Sequence, residues 1–195
     1  MANVNRSFGA RPVKHLNGSP YNGQANIYEL PAADSSVVMV GDFVVLSDQA
    51  ATDRYPAIER AGSGSATVIV GSVVGFVIDA TALNTPQHRA ASTKRYALVA
   101  DSPDLLFEMQ EDSVGGAIAL ASTGLNVEFT LTAGSTTTGN SGMEIDSSSV
   151  ATTATLPLQI MGSIERPDNE TATAEGKFLV RINTHAFGWA GIAGV

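Results

Sequence analysis

The chain has 195 residues and no cysteine, and its 11 basic against 19 acidic residues give a net charge of −8. The lack of cysteine excludes disulfides, thiolate chemistry and Cys-ligated metal sites. The acidic balance argues against DNA or RNA as the main partner, because phosphate binding needs clustered Lys and Arg. A hydrophobic content of 44% with 15% charged residues predicts a folded core within one domain.

The first 28 residues differ from the rest of the chain in charge and composition. They hold three cations and no acid. The rest of the chain therefore contains 8 of the 11 basic residues and all 19 acidic residues, which gives it a net charge of −11. Gly, Pro and Asn alternate there with isolated apolar residues that follow neither a helical nor a strand period. Such a segment cannot bury enough apolar surface on itself to offset its ordering entropy.

We therefore predict an extended basic N-terminal arm over residues 1–28 and a β-rich body over residues 29–195. A plain disordered tail is the alternative, but a tail has no need for scattered large apolar anchors. We expect the arm to be mobile in the free protein and to become ordered on a partner. The residues predicted to contact that partner are the cations and the apolar anchors of the arm, namely Arg6, Phe8, Arg11, Val13, Lys14, Leu16 and Tyr21.

Along the body, β-branched and aromatic runs separated by turn residues predict strands at 37–40, 43–46, 55–59, 67–78, 95–100, 105–110, 127–133, 155–165 and 177–184. The Gly-Ser-Gly-Ser stretch at 62–65 predicts a hairpin between 55–59 and 67–78, and Gly71 and Gly75 predict bulges or bends. Residues 118–125 are the helix candidate. Residues 132–155, half of them Ser or Thr, predict a long surface loop.

These elements predict an all-β fold, an antiparallel sandwich or barrel with an extended N-terminal arm and at most one short helix. The longest apolar run, residues 66–78, is too short to span a bilayer as a helix and contains two glycines. The N-terminus lacks the continuous apolar stretch of a signal peptide. We expect a soluble protein made in a cytosol, with no membrane partner.

Eight sequence blocks carry a resemblance that extends over nearly the whole chain. They are NRSFGARPV at 5–13, NGSPYNG at 17–23, GD at 41–42, ASTKRY at 91–96, FEMQED at 107–112, SGMEIDSS at 141–148, RPDNE at 166–170 and VRINTH at 180–185. In these blocks the chain resembles a group of small structural proteins of tailed phages, the capsid cement or decoration proteins.

The resemblance implies a virion structural protein on the capsid exterior, made in the host cytoplasm, that stabilises the phage head by binding the major capsid protein. It also implies a homo-oligomer, and we expect a trimer. The arm cations are then expected to pair with acidic shell residues while Phe8, Val13 and Leu16 fill shallow apolar pockets.

The sequence offers no pattern typical of an enzyme. His15, His88 and His185 lack the spacing of a metal site, and no Gly-x-Ser-x-Gly motif is present. The acidic groups at 101–104 and 108–112 are candidate ligands for a hard cation such as Ca²⁺, although a turn and a solvated strand end explain them equally well. We predict no enzyme activity, no metal and no cofactor. The alternative functions are a small-molecule or glycan-binding β module on a virion or cell surface, and another head or tail structural subunit.

Overall fold

The computed structural model describes residues 3–188 and 190–195, and its regular structure is nearly all antiparallel β-sheet. The first five-stranded sheet has the order β1 (Arg11–His15), β7 (Leu105–Gln110), β12 (Lys177–Ile182), β11 (Leu158–Ser163) and β8 (Asn126–Val127). The second has the order β2 (Asn26–Leu30), β6 (Arg95–Ala100), β5 (Gly71–Phe76), β3 (Phe43–Leu46) and β4 (Ile58–Arg60). A two-stranded ribbon pairs β9 (Phe129–Thr132) with β10 (Gly142–Ile145). The all-β prediction is confirmed, and of the two predicted architectures the described residues form the sandwich-like one, with no closed barrel.

The hydrophobic core joins both sheets and the ribbon. Phe43 of β3 lies 5.8 Å from Phe107 of β7 and 5.4 Å from Phe129 of β9, measured between ring centroids, and all three rings are buried. The strands that face this core show the expected period of two, clearest in β12, where each second residue is buried. Because burial of a Phe side chain stabilises a fold by about 1.5–3 kcal/mol, this three-ring contact is a main link between the layers.

Several strand predictions agree closely with the structure, and one pairing prediction is wrong. Residues 43–46, 95–100 and 105–110 form β3, β6 and β7, and the pairing register of β5 with β6 shifts between Val73 and Gly75, as a bulge requires. The predicted hairpin between 55–59 and 67–78 does not form. β4 instead pairs with β3, which lies between it and β5, because the partner of a strand is set by the whole sheet and not by the nearest turn.

The Ser/Thr-rich segment 132–155 is not a surface loop throughout, since it contains the fully buried strand β10. The prediction used the average composition of the segment, which is polar, and so missed the two alternating apolar residues Met143 and Ile145. β10 also carries Glu144, whose Oε2 accepts a hydrogen bond from Thr132 Oγ1 at 3.2 Å, while its buried Oε1 has no hydrogen-bond partner among the described residues. Burial raises the pKa of Glu144 above its usual value.

Helical structure is confined to two 3₁₀ turns in the described part of the chain. One of them, Leu120–Ser122, lies within the helix candidate at 118–125, and the other is Ser147–Ser149. Across residues 3–188 and 190–195, no helix has the length and the apolar character needed to cross a membrane.

Candidate partner-binding surface

The N-terminal segment, by which we mean the described part of the predicted arm (residues 3–28), is held against the body of its own chain. β1 pairs with β7 and forms one edge of the first sheet. Closer to the N-terminus, the backbone N of Arg6 donates to Gln110 Oε1 at 2.9 Å, and Gln110 Nε2 donates to the carbonyl oxygen of Val4 at 2.7 Å. The sequence predicts that the segment becomes ordered on another molecule, whereas in the structure β1 pairs with β7 of its own chain. The boundary predicted at residue 28 falls inside β2, and the mobility of the segment in the free protein stays a prediction.

A tight junction docks the segment onto the body. The φ of Gly9 is +73°, and a Cβ placed on Gly9 would lie 2.6 Å from the Cβ of Ser141 and closer still to the carbonyl oxygen of Gly41. Ser141 Oγ in turn donates to the buried Asp42 Oδ1 at 2.5 Å. Burial raises the pKa of Asp42, although the Arg60 guanidinium, 3.2 Å away, acts in the opposite direction. Three of the sequence blocks that carry the resemblance therefore meet at one point of the fold.

Residues 13–21 form a short hairpin, in which Pro20 and Tyr21 return antiparallel to the end of β1. The backbone N of Tyr21 donates to the carbonyl oxygen of Val13 at 3.0 Å, and Asn17 Oδ1 accepts the backbone N–H of Ser19 at 2.9 Å. The Asn17-Gly18 dipeptide lies in this turn, and Asn-Gly between apolar residues is a strong hairpin signal. This local signal could have predicted a hairpin within the segment that the sequence analysis predicted to be an extended arm.

The structure brings three of the seven predicted contact residues together. Phe8, Arg11 and Tyr21 line one groove, in which the Arg11 guanidinium lies over the Phe8 ring with 4.6 Å between Cζ and the ring centroid. The side chains of Phe8 and Tyr21 are half-buried, and Tyr21 packs against the main core. One predicted apolar anchor, Tyr21, thus packs on its own body, and a second, Phe8, lines a groove together with body residues.

The other four predicted residues lie along β1 and beside it. Val13 and Leu16 expose 37% and 41% of their surface, Lys14 is half-buried, and Arg6 is exposed beyond Arg11 along β7. Within the described residues, the cations that form no ion pair are Arg6, Arg11, Lys14, Arg54 and Arg95. Three of these five belong to the N-terminal segment, so this segment combines unpaired positive charge with exposed apolar side chains.

The two acidic groups considered as cation ligands serve as internal hydrogen-bond acceptors. Asp101 Oδ2 accepts a hydrogen bond from the Tyr28 hydroxyl at 2.6 Å. Burial, and after it this hydrogen bond, raises the pKa of Tyr28. The Glu108 carboxylate accepts hydrogen bonds from both terminal nitrogens of Arg166, at 2.6 and 3.2 Å. The Glu111 carboxylate accepts hydrogen bonds from two backbone N–H groups, at 2.7 and 3.3 Å. In the part of the chain that the structure describes, no three His, Asp or Glu side chains are grouped so that they could hold a metal ion.

The three histidines have separate environments. His15 Nδ1 lies 3.0 Å from Asp104 Oδ1, and His185 is buried, which lowers its pKa. His88 lines a pocket of about 500 Å³ formed by the loop between β5 and β6, with Val77, Ala80 and Tyr96 among the other lining residues. This volume suits a small ligand, since ligand pockets measure about 300–1,000 Å³.

No family model, curated protein or solved structure matches the chain.

Proposed function

We propose that the chain is a virion structural protein that decorates and stiffens the head of a tailed phage by binding the major capsid protein from outside. It is made in the host cytoplasm and has no enzymatic role. The resemblance of the eight sequence blocks to capsid decoration proteins supports this function, and so does the all-β sandwich, a rigid body suited to many distributed contacts.

The observation that carries the proposal is the surface character of the N-terminal segment. Arg6, Arg11 and Lys14 form no ion pair with a described residue, and Val13 and Leu16 are exposed beside them, on a chain whose net charge is −8. A basic and apolar strip of this kind fits an acidic protein surface. A partner that covers the exposed 37% of Val13 and 41% of Leu16 gains about 0.6–1.2 kcal/mol from each, and charge-assisted hydrogen bonds add to that.

The docking of this segment on its own body makes binding less costly. Ordering a free segment costs about 1–2 kcal/mol per residue in backbone entropy. Residues that already pair with β7 do not lose that freedom again when the capsid binds. The exposed anchors can therefore be few and still provide useful affinity, particularly if several subunits bind together.

Multivalent binding leads to the proposed oligomer, a homotrimer. A trimer would match the three-fold or quasi-three-fold positions of a capsid shell, and closed cyclic symmetry is the common form of soluble homo-oligomers. Light scattering at micromolar concentration should give three times the chain mass of 20.1 kDa. A monomer mass in solution, together with no trimer on the particles, would contradict this assignment.

The function is tested by adding recombinant protein to purified heads assembled without it. Saturable decoration of the outer surface is expected by electron microscopy, and bare heads at saturating protein would refute the proposal. Val13→Glu should weaken binding at least tenfold, because it removes an apolar anchor and also places a negative charge opposite the expected acidic capsid surface. Val68→Glu is the matched control, because Val68 is also an exposed valine (53%) but lies outside the N-terminal segment. Equal binding by both variants would show that the capsid contacts a surface other than the N-terminal segment.

A small-molecule or glycan-binding β module is the second candidate, and the pocket of about 500 Å³ favours it. A glycan array probed with the wild-type protein and with Ala80→Trp, which fills this pocket, tests the idea. Binding to one glycan class that is lost in Ala80→Trp would support the second candidate. No binding at all, with normal decoration of heads, would leave only the capsid function.

A further inference from the structure

A groove runs across the second sheet and continues from the N-terminal segment. It consists of two adjoining depressions, of about 230 and 510 Å³, that share Val40, Val74 and Asn140 in their walls. Val40 and Val74 are half-buried, so each presents part of its side chain to the groove. We call this feature the β5 groove, because Val74 belongs to β5.

Each of the two depressions contains an arginine stacked on a phenylalanine. Arg11 lies over Phe8 at 4.6 Å in the smaller depression, and Arg95 lies over Phe76 at 4.5 Å in the larger one. Stacking covers the face of a guanidinium but leaves the donors in its plane free to bind a carboxylate in bidentate geometry. The β5 groove thus has an apolar middle and a planar cation on each side of it.

Arg95 is held in place by its own chain. Its Nη1 donates to the carbonyl oxygens of Pro86 and His88, both at 2.6 Å, while its Nε and Nη2 have no hydrogen-bond partner among the described residues. A guanidinium fixed in this way loses little side-chain entropy when it binds an anion. Asn140, between the two depressions, likewise has a side-chain amide without a hydrogen bond to a described residue, so it is available to a peptide backbone.

The charge of the β5 groove is opposite to that of the protein. The chain has 19 acidic residues, yet among the described residues no Asp or Glu lines either depression. Asp79 lines the neighbouring pocket and attracts Arg95 electrostatically. Its carboxylate accepts hydrogen bonds from the backbone N and the hydroxyl of Thr81. The groove is therefore complementary to an anionic partner, and its apolar floor favours one that also carries apolar side chains.

We propose that the β5 groove binds an extended acidic and apolar segment of the capsid subunit. Apolar side chains of that segment pack on Val40 and Val74, one carboxylate binds Arg11, another binds Arg95, and Asn140 bonds the backbone between them. This inference rests on the proposed function, which names the capsid subunit as the source of the segment.

Peptide binding tests the chemistry without the capsid. The probes are peptides with an acetylated N-terminus and an amidated C-terminus. Each carries one Glu at either end, separated by one, three or five residues that are each Val or Thr. Each has a twin in which Gln replaces both Glu. Titration of ¹⁵N-labelled protein should shift the amide signals of Val40, Val74 and Asn140 for one spacing, and the Gln twin should bind at least tenfold more weakly. Equal binding by the twins, or shifts confined to other surfaces, would overturn the proposal.

Matched charge reversals separate a local contact from long-range attraction. Arg11→Glu and Arg54→Glu change the net charge equally, and both cations are unpaired, but Arg54 lies over Tyr55 outside the β5 groove. Arg11→Glu should weaken peptide binding at least tenfold, and Arg54→Glu should leave it within twofold. Arg95→Lys keeps the charge but loses the bidentate fork, and is also expected to weaken binding. Amide spectra that match the wild type show that each variant is folded.

The same variants on purified heads distinguish this inference from the function itself. If heads bind Arg11→Glu and wild type equally, the groove assignment fails while the decoration function stands. If heads bind neither protein but the acidic peptide still binds, the capsid function fails and the groove chemistry stands. The remaining possible occupant of the groove is a second copy of the chain, which sedimentation of the free protein tests. If the wild type self-associates, Arg11→Glu does not, and the peptides shift no amide signals, then a second copy occupies the groove and the proposal is overturned.

Discussion

Gly9→Ala provides a direct test of how the N-terminal segment is held. Gly9 has a left-handed φ of +73°, and its Cα faces the body so closely that an added Cβ would lie 2.6 Å from the Cβ of Ser141. The carbonyl oxygen of Gly41 would be closer still. A backbone carbonyl and a Cβ cannot swing away as the end of a long side chain can, so the segment or the body has to move.

The size of the effect follows from two costs. An L-residue in the left-handed region costs about 1–2 kcal/mol, and forcing an extra methyl into a packed site costs about 1–3 kcal/mol more. The sum, about 2–5 kcal/mol, has an upper limit: once it exceeds the free energy that docks the segment, the segment detaches. Detachment would break the hydrogen bond from Ser72 Oγ to the carbonyl oxygen of Ala10, at 2.7 Å, and leave the buried Ser72 hydroxyl without that acceptor.

Gly18→Ala is the control for this prediction. The φ of Gly18 is +88°, and nothing lies within 4 Å of a Cβ placed there, so only the conformational cost of about 1–2 kcal/mol applies. Urea unfolding should show that Gly9→Ala lowers the free energy of unfolding by about 1–3 kcal/mol more than Gly18→Ala does. Hydrogen exchange of residues 5–16 should rise in Gly9→Ala alone. Equal stability of the two variants, with residues 5–16 unprotected in the wild type, would show that the segment is mobile in the free protein.

The strands that the sequence predicted well are those whose signal is local. β6 and β7 match the predicted ranges 95–100 and 105–110 because at least half of the residues in each strand are large apolar, aromatic or β-branched and turn residues separate the two strands. The pairing of β4 and the burial of β10 depend on partners far along the chain, which no local pattern contains. β1 was missed because Val13 is its one β-branched residue and Pro12 lies beside it, so its sequence RPVKH carries no strand pattern.

For the candidate surface, composition identified the segment but not its orientation. The basic character of the segment and its apolar anchors could be predicted, since the charge excess and the isolated apolar residues are visible in the sequence. The position of Phe8 in the groove follows from the close fit of its neighbour Gly9 against residues 41 and 141, a contact between distant parts of the chain. Arg95 could not have been assigned to the same surface as Arg11, because 83 intervening residues hide their placement in neighbouring depressions.

Three further predictions concern the body. Arg89 is fully buried and donates to Asp34 and to several backbone carbonyls, so Arg89→Met should lower the free energy of unfolding by about 3–5 kcal/mol, whereas Arg54→Met should change it by less than about 0.5 kcal/mol. EDTA should leave the melting temperature unchanged, and a fall of several degrees would reveal a bound cation. Because burial raises the pKa of Glu144, the folded protein keeps this proton to a higher pH than the unfolded chain does, and stability falls as the pH rises above the ordinary value of 4.5. Glu144→Gln should therefore flatten the pH dependence of stability and raise stability at pH 7, while the exposed Glu165→Gln should do neither. Parallel pH curves for Glu144→Gln and the wild type would mean that the buried carboxyl contributes nothing to this dependence.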